Sequence, residues 1–409
     1  MDDPSPATPL LRQPAFVSFL YVRIAASIAL QVQAVAVGWQ MYDLTRSTFQ
    51  LGLVGLVQFV PAIGLFLVTG HAADRYDRRV VTFAAQLIEA SGVTVLAIAA
   101  ATGHLTPHLL LAMAFVIGTG RAFEQPSLQS SLPNIVPSGS LQRAIAASTS
   151  AAQIAIVAGP ALGGVLIALS PTLVFAACAV LWLSSGIVMR GIAMTRTLPR
   201  REPVDLKSLF GGLAFIGRQK VVLGAILLDL FAVLLGNATA LLPVFTRDIF
   251  LAGPLSFGAL RAAPAAGALM TALALTRWSI AHRVGRAMFL AVATFGTGTI
   301  LLALSPTIFF AMAAMFIVGA SDTVSVVIRQ TLIQLHTPDQ MRGRVYAVSS
   351  MFTGTSNQLG DFRAGTAAYF FGTVPSVLIG GFSTLAVVLV STRIFRDLYN
   401  ADRYEPAKV

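Results

Sequence analysis

The stretch "GHAADRYDRRVV", Gly70–Val81, crowds Asp74, Arg75, Asp77, Arg78 and Arg79 into twelve residues. The chain around it has 409 residues, of which only 11% are charged and 56% hydrophobic, with a mean hydropathy of +0.77. So few charges could not cover the surface of a soluble protein of this length, and the composition is that of a chain that crosses a membrane many times. In such a chain an arginine run marks a nucleic-acid patch, a reactive cluster, or a segment held on one side of the bilayer. The 28 Lys and Arg against 17 Asp and Glu give a net charge of +11. They punctuate apolar runs instead of clustering on a soluble face, which argues against nucleic acid as a partner.

Working outward from this stretch, a helix needs ~20 mostly apolar residues to cross a ~30 Å hydrocarbon core. Runs of that kind fall near 16–43, 50–70, 80–101, 107–127, 141–168 and 171–190, and again near 220–247, 256–277, 286–304, 307–329, 343–369 and 373–394. Between the sixth and seventh lies the longest polar segment, with Pro199, Pro203 and a cluster of Lys and Arg. The expected organisation is therefore a tail over 1–15, a six-helix bundle over 16–190, a central loop over 191–219, a second six-helix bundle over 220–394 and a tail over 395–409. The start of the chain, "MDDPSPATPLLRQP", is acidic and proline-rich and does not read as a signal peptide. Shorter hinges carry turn chemistry, as in "TGHLTP" and the two "SP" pairs at 170–171 and 305–306. Cys178, the single cysteine, lies in an apolar run and reads as a packing residue.

Basic residues set orientation, because Lys and Arg collect in cytoplasmic loops. With the amino terminus inside, the inner connections and tails take Arg75, Arg78, Arg79, Arg143, the arginines of the central segment, Arg277, Arg283, Arg342, Arg344 and Arg396, and the outer loops keep only Arg46 and Arg247. Both termini are then cytoplasmic and Gly70–Val81 is an inside loop. Topology accounts for its arginines but not for Asp74, since acidic residues contribute little to orientation.

The arrangement Gly70, Ala73, Asp74, Arg75, Arg78, Arg79 between the second and third spans resembles the loop signature of the major facilitator superfamily. Where that family usually has glycine, this chain has Asp77. The resemblance implies an all-α polytopic membrane protein of twelve transmembrane helices in two pseudo-symmetric six-helix bundles around a cavity that opens to alternate sides. It also implies that Asp74, with Arg75 and Arg78 beside it, forms a conformational latch against the start of the eleventh helix, near Arg342 and Arg344. A second run, "AGPALGGVL", resembles the antiporter signature of the superfamily's exporters through Gly159, Pro160, Gly163 and Gly164. The plainer reading of those small residues is close helix packing. The runs "AVGWQMYDLTRS", "GRAFEQPSLQSSLPNIVP" and "RGRVYAVSSMFTGTSNQLGDFRAG" extend the likeness to the siderophore-export and drug-efflux branch over nearly the whole chain.

A charge at the bilayer centre costs ~2.5–3.5 kcal/mol even on lenient scales, so each one is paired, faces a cavity or has a function. Arg23, Glu89, Arg121, Glu124, Asp229, Arg261, Asp322, Asp361 and Arg363 fall inside the spans, while Asp43 at a span end reads as solvated. Arg121 and Glu124 are three apart and share a helix face, so they either pair structurally or couple to a proton. Asp229 and Asn237 lie eight apart on one face of the seventh span with Phe245 two turns on, although Asp229 is close enough to the span's start to be solvated instead. Asp322 lies deeper than Arg329, and a buried carboxylate without a partner tends to hold its proton. Asn357, Gln358 and Asp361 form a polar patch with Arg363 that is either a fixed network or part of the cavity. Gln31 and Gln33 cannot share a helix face, so only one of them lines the cavity.

These residues lead to a secondary active exporter, expected to be a monomer in the inner membrane, that moves a small amphipathic molecule, a siderophore or drug, in antiport with protons. Asp322, Glu124, Asp229, Asp361 and Arg121 are the proton-coupling candidates, and Gln31, Gln33, Asn237, Phe245, Asn357 and Gln358 the cavity candidates. No catalytic residue, cofactor or metal is expected. His104 and His108 stand in a Pro107-containing turn, and two ligands do not hold zinc securely. The alternatives are an uncoupled facilitator and a membrane enzyme or receptor, the last of which would need a reactive cluster that the sequence does not offer.

Overall fold

The computed structural model describes residues 10–194 and 206–404, and among these every regular element is helical. In chain order the first half contains α1 (Pro14–Thr45), α2 (Thr48–Gly64), α3 (Phe66–Arg75), α4 (Arg78–Ala101), α5 (Pro107–Ser131), α6 (Leu141–Leu169) and α7 (Pro171–Gly191). The second half contains α8 (Leu206–Arg218), α9 (Lys220–Gly236), a one-turn α10 (Leu242–Val244), α11 (Pro254–Arg277), α12 (Val284–Ala303), α13 (Ile308–His336), α14 (Asp339–Phe371), α15 (Thr373–Ile394) and α16 (Arg396–Tyr399). Nine stretches among the described residues are long and apolar enough to cross a membrane by themselves. The second span (α2 with α3), the fourth (α5) and the eleventh (α14) complete the twelve. Those spans carry the polar load: α5 holds Arg121 and Glu124, and α14 holds Asp361 and Arg363.

Local chemistry fixes many of the ends. Thr106, Ser170 and Thr307 cap α5, α7 and α13, each side-chain oxygen accepting a backbone N–H of the first turn, with Pro107 and Pro171 filling positions where a missing donor costs nothing. Gly103 follows α4 with φ +72°, the left-handed conformation that ends helices. The outward faces of the spans are apolar, with Ile98, Val180, Ile187, Leu290 and Leu389 each more than half exposed, as lipid requires.

The opening stretch is not a loop. Helix α3 runs through Asp74 to Arg75, and only Tyr76 and Asp77 separate it from α4. Asp77, where the family pattern has glycine, accepts the backbone N–H of Arg79 at 2.9 Å and a second bond from the Arg79 side chain at 2.7 Å, so it caps α4. Arg79 also reaches the Ile192 carbonyl at the end of α7 (3.1 Å), and Arg78 the Ser130 carbonyl near the end of α5 (2.6 Å). These arginines therefore fasten helix ends to one another. The Arg79 side chain holds the Asp77 carboxyl below the usual carboxylate range. A depressed value means that the cap contributes fully at neutral pH and fades only as the pH falls through the folded-state value. Asp77→Ala should cost about 1 kcal/mol, read as a lowered melting temperature in detergent at pH 7; an unchanged melting temperature would remove the cap from the account.

Two further boundaries differ from expectation. The central segment 191–219 is not all loop, because Leu206–Arg218 forms α8, which packs on α14 and α9 with Ile216 2% exposed. The tail beyond 394 is docked as well: Leu398 of α16 is fully buried, and Gly285 of α12 lies so close beneath it that any Cβ would collide with the Leu398 carbonyl.

The chain divides into two compact units, the first comprising Met1–Gln40 and Val57–Pro203, the second Met41–Leu56 and Val204–Val409. Within the first, α4 packs on α5 and α7, and α6 lies against α1. Gly159 and Gly163 make that last contact possible, since a Cβ on either would stand 2.5 Å from Gln31 Cβ or 2.9 Å from Val35 Cβ. Within the second, α11 and α13 cross so tightly that Gly267 and Gly319 each face a backbone carbonyl of the other helix, Phe316 and Pro264 respectively. The joint of the first two spans packs in this second unit. Gly365 of α14 meets the Thr48 carbonyl there, and Asp43 is not merely solvated but pairs with Arg247.

Candidate functional site

Each unit contains a group of charged side chains buried among apolar helices. In the second unit, Asp322, Ser325 and Arg329 recur at three- and four-residue steps along one face of α13, opposite Asp229 of α9. Asp229 Oδ2 and Arg329 Nη2 stand 3.2 Å apart, and each side chain is only 4% exposed. Burial decides between the two readings of Asp229: it is a paired interior residue and not an interfacial one. The Ser325 hydroxyl donates to Asp229 at 3.4 Å, and Arg329 Nη1 donates to the Thr353 hydroxyl on α14 at 2.8 Å. Asp322 lies within electrostatic reach of both Asp229 and Arg329. It lines a cavity of about 140 Å³ whose walls include Asn237, Thr239, Pro264, Phe295, Met315 and Asn357. Arg329, sequestered by Asp229, balances one of the two carboxylates.

The seventh span is broken where sequence reading made it continuous. Helix α9 ends at Gly236, a 3₁₀ turn follows at Thr239–Leu241, and Phe245–Ile249 forms a π turn. The face from Asp229 to Asn237 therefore does not extend to Phe245, which is 1% exposed and packs against Phe250 instead of lining the cavity. A helix break in a membrane leaves carbonyls at one end and N–H groups at the next start without partners. Both are satisfied from α14. Arg363 donates to the Leu234 and Asn237 carbonyls at 3.0 Å each, and Asp361 Oδ1 accepts the Ala240 N–H at 3.2 Å and the Asn237 amide at 3.1 Å. A cation at the carbonyl end and an anion at the N–H end also match the dipoles of the two segments. Asp361 and Arg363 thus hold Asn237 in place at the cavity wall, with Arg261 within electrostatic reach of Asp361. Of the other patch members, Asn357 is exposed on the cavity wall, and Gln358 lies against Gly55.

In the first unit the charges are Arg23 on α1, Glu89 on α4, and Arg121 and Glu124 on α5. Glu124 takes its hydrogen bond from Gln86 Nε2 of α4 at 2.7 Å, while Arg121 is within electrostatic range of Glu124 and Glu89. The pairing expected within α5 is therefore replaced by a bond between helices. Gln33 is fully buried with both amide atoms unpartnered among the described residues, and Gln31, half-buried, donates to the Ile156 carbonyl at 3.4 Å. Gly159, Pro160, Gly163 and Gly164 are all buried in α6, where at least Gly159 and Gly163 serve packing. Of the residues expected to form the latch, Arg75 is exposed in the first unit; in the second, Arg342 donates to the Gln334 carbonyl at 3.0 Å and Arg344 lies beside Met341; the Asp74 side chain falls outside the described residues.

Helices enough for twelve membrane crossings, with a buried ion pair and a carboxylate-lined cavity among them, have the fold of a multi-pass membrane carrier, and the family match and relatives below make the chain a transporter of the major facilitator superfamily and not an enzyme. A profile described as transmembrane secretion effector matches residues 4–407, and the chain belongs to that family. It is similar to the enterobactin exporter EntS of Escherichia coli O1:K1 / APEC, 27% identical over 411 residues with 95% of each chain covered. To the enterobactin exporter EntS of Citrobacter koseri it is 26% identical, covering 95% of this chain and 94% of that one. Among solved structures, a mutant form of the nucleoside transporter NupG superposes with a TM-score of 0.76 at 11% identity, over 93% of this chain and all of that one. A bacterial homologue of the human lysosomal transporter Spinster, inward-facing and occupied, gives 0.73 at 16% identity over 96% and 97%. At these identities the structural likeness carries the fold.

Proposed function

We propose that this exporter exchanges protons for a small amphipathic molecule, a siderophore or drug, by alternating access in the inner membrane with both termini in the cytoplasm. The observation that carries the reading is Asp322, which opens onto a cavity beside a guanidinium already sequestered by Asp229. Such a carboxylate binds a proton or a substrate cation in alternation, which is what an antiporter requires. Asn237, Asn357 and Thr239 supply hydrogen bonds in the same wall, and Phe295 and Met315 supply apolar contact. A cavity of this size takes one ring of a larger molecule. The likeness to enterobactin exporters supports a siderophore as the first substrate to try. Asp229 and Arg329 set the field around Asp322, while Asp361 acts as a positioning residue.

The test is uptake of enterobactin into everted inner-membrane vesicles under an imposed gradient, acid inside. Accumulation should rise with the gradient and collapse on adding a protonophore. Transport that persists unchanged after collapse identifies an uncoupled facilitator instead. The proposed cycle also uses the Asp74 latch near Arg342 and Arg344: Asp74→Asn should slow gradient-driven uptake several-fold while leaving membrane insertion intact. Normal uptake by that variant would reduce Gly70–Val81 to a helix junction and an anchor.

A further inference from the structure

Glu89 on α4 is fully buried, and neither of its carboxylate oxygens has a hydrogen-bond partner among the described residues. Its position is set by Gly120 on α5, where an added Cβ would stand 2.6 Å from Glu89 Cγ and 2.7 Å from the Ala85 carbonyl. Gly120 and Glu124 lie one turn apart on α5, and Gln86 and Glu89 lie three residues apart on α4, so two carboxylates and one amide share the seam between these helices. Gln86 already donates to Glu124 at 2.7 Å, while its own Oε1 is buried, faces Gly186 of α7 and has no hydrogen-bond partner among the described residues. That amide can donate to a carboxylate or, turned over, accept from a carboxylic acid.

The charged groups around the seam are few. Arg121 of α5 is within electrostatic range of both glutamates, and Arg23 of α1 is within range of Glu124. From α7 the charged residue is Arg190, which stacks over the Phe83 ring at 5.4 Å. Asp74 and Arg75 end α3, about three turns of α4 away. Glu124 thus has a donor and a share of two guanidinium groups. Glu89 has no donor, and an ionised carboxylate without donors or water is far more costly than a neutral one.

We propose that Glu89 is a proton-binding residue of the first unit, neutral in this arrangement beside an ionised Glu124, with Gln86 and Arg121 positioning the pair. The proton is the ligand, and the site is separate from the Asp322 cavity. When α4 and α5 shift, water reaches Glu89, the O–H bond breaks, the proton passes to that water as hydronium, and Arg121 stabilises the carboxylate left behind. The part this plays in transport rests on the proton-coupled reading above; the binding of the proton does not.

The experiment is infrared spectroscopy of the purified full-length protein in detergent from pH 6 to 9. The wild type should show a carboxylic-acid C=O band at pH 7 that Glu89→Gln removes. In Glu124→Gln the band should remain but disappear at a lower pH than in the wild type, because a neighbouring negative charge has gone. A spectrum that Glu89→Gln leaves unchanged overturns the proposal, as does a band removed by Glu124→Gln alone. If Glu89→Gln does not fold, wild-type protein labelled with carbon-13 at glutamate carboxyls decides: a neutral glutamic-acid band at pH 7 is expected, and its absence overturns the site. These spectra need no transport. A band present in a protein whose uptake ignores the pH gradient would leave the site standing and remove the coupling.

Discussion

Arg329→Met should destabilise the protein by about 3–5 kcal/mol, the usual consequence of stripping one partner from a buried ion pair. Methionine matches the length of the arginine stem, so lost packing is a minor part of the expected effect. The larger part is Asp229, left 3% exposed with Ser325 as its remaining donor among the described residues. Thr353 loses its partner on α13 at the same time. The check is a melting curve in detergent for Arg329→Met, Asp229→Asn and the double variant. Because the two residues touch, the effects should not add, and the double variant should be more stable than Arg329→Met alone. Additive losses would mean that the 3.2 Å pair contributes little and that the two residues act separately.

The second large effect is on transport. Asp322→Asn keeps the shape of the side chain and its hydrogen-bonding capacity, and removes only the ability to gain and lose a charge. Gradient-driven uptake should fall at least about tenfold, since no other described residue on the cavity wall can alternate between charged and neutral forms. Stability should change little or rise, because an unpaired carboxylate beside Asp229 is removed. Asp361→Asn is expected to behave differently. Asp361 accepts bonds from Ala240 and Asn237 at the break in the seventh span, so its loss should lower stability and transport together. Equal, stability-neutral losses in both variants would contradict this division of roles.

Much of this architecture is legible in the sequence. Apolar runs of spanning length mark nine of the crossings outright, and caps such as Thr106, Ser170 and Thr307 mark where helices start. What is not legible depends on distant partners. The α9 break has no proline at Asn237 to announce it, and the groups that satisfy it, Asp361 and Arg363, lie more than 120 residues away. The Asp229–Arg329 pair likewise joins residues 100 positions apart, so each looks unpartnered when read along the chain. Gly70–Val81 reads as a loop because its charges suggest solvent, whereas the helix needs only the two residues Tyr76 and Asp77 to turn. Glu89 is legible as a charge inside a span, but nothing near it in the sequence says what surrounds it. Its placement follows from Gly120 on the next helix, a small residue that admits the Glu89 stem and is easily taken for a generic membrane glycine.

Proton coupling is tested most directly by lumenal pH in proteoliposomes that carry the purified protein and a trapped pH-sensitive dye, with no gradient imposed at the start. Adding the siderophore probe outside should drive protons out as the probe moves in, so the lumen turns alkaline in step with uptake. With Asp322→Asn the alkalinisation should be absent. Uptake by the wild type with no change in lumenal pH would contradict antiport and leave a facilitator.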